Sequence, residues 1–597
     1  MKKIRCFILL LTLSTPVPSL AQDANLHMRI NQVGYLPEDT KIAIAFAKQS
    51  QSMAFELVDA ETGKIVRESE KANTDAGPWG NFPHHYLLDF SAFTASGRYR
   101  IRITGTEQVS LPFSIGTDAY SGLHKEALKY IRRQRCGYNP VLGQVCHTYD
   151  GRSFYGPMPD STYFDVSGGW HDAADYLRYM LTSGNTVGRM LFTYRETENK
   201  QIFEDEYNRS GRAGSNGIPD ILDEAKWGLD WMLKMHPAPG LLFHQVADDR
   251  DHIGFKLPHA DSSDYGWGPD SYRVVYFANG KPQGLGKYIN TSTGIANLAG
   301  RYAAVMAMAA DIWANDLDDA ASAERFLQAA KEVYEMGLKQ QGSQEGTPHL
   351  ARYRYHEITW ADDMEWGAAE LFKVTGQERY LDDGKEFARK INTLSWMGKD
   401  TARHYEYYPF MNLGHYALYP LVEAAFQDTL SGYYREGLEA LKQRADQNPY
   451  SIGYPFIWCS NNLAAAAITQ ALLYQRMTGD DTYRRMATEM RDWLLGRNPW
   501  GVSQMVGIPV QGGVTSQDPH DSISHLTGIK ATGGLLDGPL YTATHNKHHI
   551  RLFEPDEYAA FQSDLVVYHD DLGDYSTNEP TLDGTAETLF WLALFAE

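Results

Sequence analysis

The period of the apolar residues changes near residue 117, and this change constrains the fold more than any other feature of the chain. Before it, Tyr99, Ile101 and Ile103 alternate with Arg98, Arg100 and Arg102, the mark of a strand with one buried and one solvated face. Met53, Phe55 and Leu57 repeat the pattern, Thr62-Gly63 supplies a turn, and Tyr86, Leu88 and Phe90 make a further strand. Short strands broken by turns predict a small β-sandwich over residues 25–116. The arginine row reads as that domain's solvated face rather than as a binding stripe.

From residue 117 the apolar residues follow a helical period to the end. Pro219 to Met235 opens with proline at a first-turn position and keeps Leu222, Ala225, Leu229 and Leu233 near one face. Arg301 to Ala314 is almost wholly apolar after its first residue, which predicts a helix buried on all sides. Glu365 to Thr375, Leu463 to Thr478 and Gly584 to Ala596 also read as helices. A weak repeat appears twice: a helix ending in Thr375-Gly376 before Tyr380, and another ending in Thr478-Gly479 before Tyr483. Each glycine suits a left-handed helix cap. Repeated helix–turn–helix units imply a closed ring of hairpins or a solenoid. The last helix is too apolar to cap a solenoid, which favours the ring.

The chain's 75 acidic and 55 basic side chains give a formal charge of −20, which argues against nucleic acid and anionic lipid as partners. Thirteen Trp and 37 Tyr suit stacking on sugar rings, although aromatic cores give the same count. Lys2, Lys3 and Arg5, an apolar run from Phe7 to Leu13 and Ser19-Leu20-Ala21 form a secretory leader over residues 1–21. No cysteine follows the cleavage site, so no lipid anchor is expected. A secreted or periplasmic protein with no membrane insertion, acting as a monomer, is the expectation. Three cysteines remain: Cys136 and Cys146, close enough to pair as a disulfide or to hold zinc with His147, and Cys459 alone.

Two segments carry the chemistry. In Gly168-Gly169-Trp170-His171-Asp172-Ala173-Ala174-Asp175, two carboxylates three residues apart can grip one water or cap a helix start. Tyr568 to Pro580 packs Asp570, Asp571, Asp574 and Glu579 together. Mutual repulsion there raises at least one pKa, as a general acid needs, although a calcium loop has the same composition. Pro519-His520-Asp521 adds a loop histidine.

With these motifs in view the chain resembles glycoside hydrolase family 9, the inverting cellulase family with an (α/α)6 barrel, in its subgroup with an N-terminal immunoglobulin-like domain. Asn31-Gln32-Val33-Gly34-Tyr35-Leu36-Pro37 is similar to the opening of that domain. Gly169 to Asp175, Asn216 to Glu224, Gly496 to Ser503 and Tyr568 to Ala586 resemble family segments in the right order. The resemblance implies Asp175 as general base, Asp172 as its helper and Glu579 as general acid. It also implies Asp570 as a supporting residue and His520 as a substrate contact, with Trp170 and Tyr575 expected to meet the sugar. Cys136, Cys146 and His147 look like a zinc site of the subgroup, and the family also holds structural calcium. No cofactor is expected in the chemistry.

The departures are local. Ala174 stands where the family usually has glycine, Asp521 and Ser522 follow His520 in place of His-Arg, Leu572 replaces an arginine, and Thr585 replaces an asparagine. The three carboxylates survive. The sequence therefore implies an inverting endo-β-1,4-glucanase, with soluble or branched glucans such as xyloglucan or mixed-linkage glucan, or amorphous cellulose, as substrates. No separate cellulose-binding module is expected. The alternatives are an exo-acting β-glucosidase or glucosaminidase of the same fold, with residues 248–288 closing one end of the cleft, and a catalytically weak glycan-binding protein.

Overall fold

The computed structural model describes residues 26–597 except 70–73, 269–271, 352 and 511; the expected leader lies outside the described residues. The N-terminal domain is a two-sheet sandwich. One sheet places Ile42–Ala47 between Leu26–Arg29 and His84–Asp89, all antiparallel. The other runs in the order Gly34–Tyr35, Phe113–Ile115, Gly97–Ile103, Phe55–Asp59, Ile65–Glu68. Only its first pair is parallel among the described strands. Tyr99, Ile101 and Ile103 enter the core, while Arg102 reaches sideways to Glu56 at 2.7 Å, so the arginine row is the solvated face.

Ile42–Ala47 is buried at every position because it serves two cores. Ala43, Ala45 and Ala47 face the sandwich interior with Leu57, Leu88 and Ile101. Ile44 and Phe46 point the other way and join the larger apolar cluster, Phe46 packing against Phe82 and, across the seam, Phe561. A strand covered on both faces has no polar alternation to keep.

That second domain is an (α/α)6 barrel. Its inner helices are Met180–Glu196, Ala296–Asn315, Ala361–Thr375, Leu413–Leu418, Ser460–Thr478 and Leu582–Ala596. Leu123–Arg133, Asp220–Met235, Ala320–Lys339, Glu378–Ile391, Ala424–Ala445 and Arg484–Leu494 lie outside them. Inner helices are buried almost all round, as the almost wholly apolar run after Arg301 predicts, whereas outer ones bury one stripe. Leu582–Ala596 packs on Met180–Glu196, which closes the ring between the last inner helix and the first. Gly376 and Gly479 end their helices at φ 64° and 77°, in the left-handed conformation their spacing predicts. Pro219 stands one residue ahead of its helix rather than in the first turn. No helix among the described residues is long and apolar enough to cross a membrane.

Helices do not account for everything after residue 117. Arg152–Phe154, Val274–Phe277, Phe243–Val246 and Arg178–Tyr179 form a four-stranded sheet in the loops at one end of the barrel. These strands have two to four residues and little alternation, which is why a helical period hides them.

Candidate active site

The Gly168–Asp175 segment is a tight turn, not a helix. Gly169 sits at φ 71°, and a Cβ there would lie 2.7 Å from the Trp231 ring, so only glycine fits. The turn is pinned by His171 N–H to Gln134 O (2.8 Å) and by Leu582 N–H to Asp172 O (2.9 Å). Asp172 is buried, with one carboxylate oxygen accepting from Thr182 Oγ1 and the other from the Tyr355 hydroxyl. Burial, then the neighbouring Asp175 and Asp583, push its pKa well above the usual carboxylate range. Asp175 accepts from Leu177 N–H (2.8 Å), and its other oxygen lies 3.6 Å from His252 Nε2. Burial opposes charge on His252, but Asp175 outweighs it and holds that pKa above the usual histidine value.

Glu579 reaches the same place from the far end of the chain. Its Oε1 accepts the Ala174 N–H at 2.9 Å, so the backbone between the two aspartates bonds directly to the glutamate. Burial, then Asp537 and Asp175, raise the Glu579 pKa well above the usual range. Asp537 N–H bonds to Glu579 O (2.8 Å), while its carboxylate accepts from Trp458 Nε1 (2.7 Å) and Cys459 Sγ (3.2 Å).

Asp175 and Glu579 share the wall of one cavity of about 360 Å³ with Tyr176, His252, Phe255, Lys256, Tyr353, Trp458, His520 and Tyr575. The residues from Asp251 to Lys256 form one side of it. His520 is held by a 2.6 Å bond from its ring to Leu572 O. Asp570 does not line the cavity. It accepts from Ser516 Oγ (2.6 Å) and from the N–H groups of Gln517 and Asp518 (2.8 and 3.1 Å), which fixes the loop leading to His520. Asp521 is a support as well, gripping buried Arg133 through bonds of 2.8 and 2.6 Å.

Trp170 is where the sequence reading fails. It is 0% exposed, and its indole N–H bonds to Glu224 at 2.9 Å, so no sugar can reach it. Glu224 also takes Arg135 and Arg132, which makes this one buried carboxylate an anchor of the aspartate turn. The aromatic side chains of the cavity are instead Tyr176, Phe255, Tyr353, Trp458 and Tyr575. His252, Tyr353, Tyr355 and Asp537 were not foreseen. Asp251-His252 inside a polar, glycine-bearing loop was the only local signal for the first of them.

Behind the turn lies a group of four metal-ligating side chains. Cys136 and Cys146 are free thiols with Sγ atoms 4.0 Å apart, which overturns the disulfide alternative. Cys136 Sγ lies 3.5 Å from His147 Nδ1 and Cys146 Sγ 3.8 Å from His171 Nε2. A tetrahedron with Zn–S of about 2.3 Å and Zn–N of about 2.0–2.1 Å has edges of about 3.8 Å (S–S) and 3.6 Å (S–N), so the donor set fits zinc. His147 Nε2 meets Asp261 Oδ2 at 3.0 Å, the outer carboxylate a metal-bound imidazole commonly has. His171 is the fourth donor that the sequence reading missed, although it directly precedes Asp172.

Residues 120–592 match the family model described as glycosyl hydrolase family 9, and residues 23–108 match that of the cellulase N-terminal Ig-like domain. The chain is 27% identical over 639 residues to Endoglucanase C of Cellulomonas fimi, covering 98% of this chain and 53% of that one, so it spans about half that relative's length. It is 28% identical over 564 residues to a xyloglucan-specific endo-β-1,4-glucanase of Bacteroides ovatus, covering 87% of each. The solved structure of a metagenome-derived glycoside hydrolase family 9 endoglucanase matches with a TM-score of 0.75 at 26% identity, covering 96% of this chain and 99% of that one. With an Ig-like sandwich, a six-hairpin barrel and paired carboxylates facing one cavity, the chain belongs to glycosyl hydrolase family 9.

Proposed function

We propose that the protein is a secreted, inverting endo-β-1,4-glucanase that prefers soluble or branched glucans, xyloglucan among them. The observation that carries this reading is the pairing of Asp175 and Glu579 on one cavity, joined through the Ala174 N–H. The likeness to a xyloglucan-specific enzyme over 87% of both chains supports the substrate class.

The chemistry needs one protonated and one ionised carboxyl. Burial, then Asp537 and Asp175, raise the Glu579 pKa well above the usual carboxylate range, which favours it as the acid. Its proton passes to the glycosidic oxygen as the C1–O bond breaks. A water held by Asp175 attacks C1 from the opposite face and gives its proton to that carboxylate. One C–O bond is broken, one is formed, and the anomeric centre inverts. Such pairs stand about 6.5–9.5 Å apart to admit the water. Asp172, fixed by Thr182 and Tyr355, holds the turn that aims Asp175. Cys136, Cys146, His147 and His171 would hold a structural zinc that clamps the same turn from behind.

The test is early hydrolysis of xyloglucan, barley glucan and cello-oligosaccharides followed by NMR and product sizing. The α-anomer released first, with internal cuts giving mixed oligosaccharides, is the expected result. A β-anomer first would remove the single-displacement roles, and single terminal sugars alone would replace endo by exo action.

A further inference from the structure

A second group of metal-ligating side chains lies on the loop that carries Glu579, away from the cysteine group. His545 comes from the Thr542–His548 helix, and His569 and Asp574 come from the segment leading to Glu579. His545 Nε2 is 3.0 Å and His569 Nδ1 is 2.7 Å from the same atom, Asp574 Oδ2. The three ligating atoms lie within 4.8 Å of one another. Asp574 is 0% exposed and His569 9%.

The two oxygens of Asp574 have different kinds of neighbour. Asp574 Oδ1 is taken by Ser576 N–H and Oγ and by Thr577 N–H. Oδ2 accepts Thr577 Oγ1 at 2.9 Å and meets both imidazoles, so it faces three donors as Oδ1 does, but two of its three are ring nitrogens that can also ligate a metal. A cation seated between the imidazoles replaces two of those donors by one bond and leaves the Thr577 bond intact. His569 Nε2 faces Asp556 Oδ2 at 3.9 Å, a carboxylate placed behind a ligand imidazole. Two imidazoles and one carboxylate suit zinc or another borderline divalent transition metal, not the all-oxygen cations calcium and magnesium.

We propose that His545, His569 and Asp574 bind a divalent transition-metal ion that ties the Thr542–His548 helix to the loop bearing the general acid. Asp574 is five residues before Glu579, and its carboxylate also fixes Ser576 and Thr577. Thr577 O in turn accepts Gly538 N–H at 3.2 Å, beside Asp537. The ion would therefore stiffen the support of Glu579 without touching the substrate.

The experiment titrates Co²⁺ into the chelator-stripped full chain, reading absorption and bound metal together. Two equivalents per chain are expected, one with a strong thiolate charge-transfer band and one with only weak visible bands. Cys146→Ser should remove the thiolate band and keep the second equivalent. His569→Ala and His545→Ala should each keep the thiolate band and weaken the second equivalent by more than the ~10–100-fold that loss of an outer partner costs. Zinc should raise the melting temperature of Cys146→Ser but not of Cys146→Ser combined with His545→Ala, the more exposed ligand. No second equivalent in the wild type, or one unchanged in both histidine variants with native circular dichroism, would overturn the proposal.

Discussion

At the residue scale, the proposed mechanism asks Glu579 to be two things at once: a reactive acid and a half-buried carboxyl. Its pKa is raised by burial, Asp537 and Asp175, so the protonated form is the one the fold favours. Its stabilising contribution is present below the unfolded value of about 4.3 and is lost as pH rises through the folded value. Glu579→Gln should therefore lose at least ~10²-fold in glucan turnover, less on an activated aryl glycoside, while melting above the wild type at pH 7–8. The melting difference should close near pH 4; a variant that melts lower at neutral pH would refute the argument. For the wild type, the alkaline fall of kcat/KM should belong to Glu579 and vanish in the variant's residual aryl-glycoside activity. The two aspartates should differ in kind. Asp175→Ala should abolish hydrolysis, with azide restoring some turnover, because no water is deprotonated. Asp172→Ala should keep a measurable residue, since the water is still deprotonated but poorly placed, at a cost of up to ~10²-fold. Initial rates with and without azide separate the two.

At the scale of the element, what the sequence makes legible follows from how many neighbours a segment has. The Gly97–Ile103 strand has one wet face, so its alternation is written in Tyr99, Ile101 and Ile103 against three arginines. Ile42–Ala47 has none, and its six apolar residues say only that it is buried. Phe46→Ala should cost about 3–5 kcal/mol, since it empties a fully buried site at the seam between sandwich and barrel, whereas Arg67→Ala on the exposed edge strand should stay within about 0.5 kcal/mol. Denaturant midpoints would decide. Trp170 and His171 show the opposite limit. Both stand in a segment recognisable as catalytic, yet one is bonded to Glu224 and the other points at Cys146. Adjacency in sequence cannot say which face of a tight turn a side chain takes. His252 and Tyr355 were illegible for another reason: they meet the aspartates from loops roughly 80 and 180 residues away, and only the closed ring brings them together.

At the scale of the whole molecule, the sandwich is joined to the barrel along a seam that leads towards the cavity. Asn31 Nδ2 bonds to Asp492 and Tyr120, Asp39 pairs with Arg491 at 2.9 Å, and Ile44 and Phe46 join the larger apolar cluster. Removing the sandwich should expose this apolar surface and leave a barrel that aggregates or melts well below the full chain. The sharper test lies in Gln32. Its N–H bonds to Leu495 O, its amide donates to Gly501 O (2.8 Å), and its carbonyl accepts the Val514 N–H (2.6 Å). Two and three residues beyond Val514, Ser516 and Gln517 bond to Asp570, and that loop continues to His520 on the cavity wall. One side chain of the sandwich thus holds the root of a loop that reaches the cavity wall. Gln32→Ala should lower kcat/KM by up to about tenfold, a fraction of the ~10²-fold cost of a 1 Å displacement. It should do so equally on a polymer and on a small aryl cellobioside, because the fault lies in the cavity and not in polymer capture. A loss confined to the polymer would instead make the sandwich a binding module, since then only the grip on a long chain would depend on it.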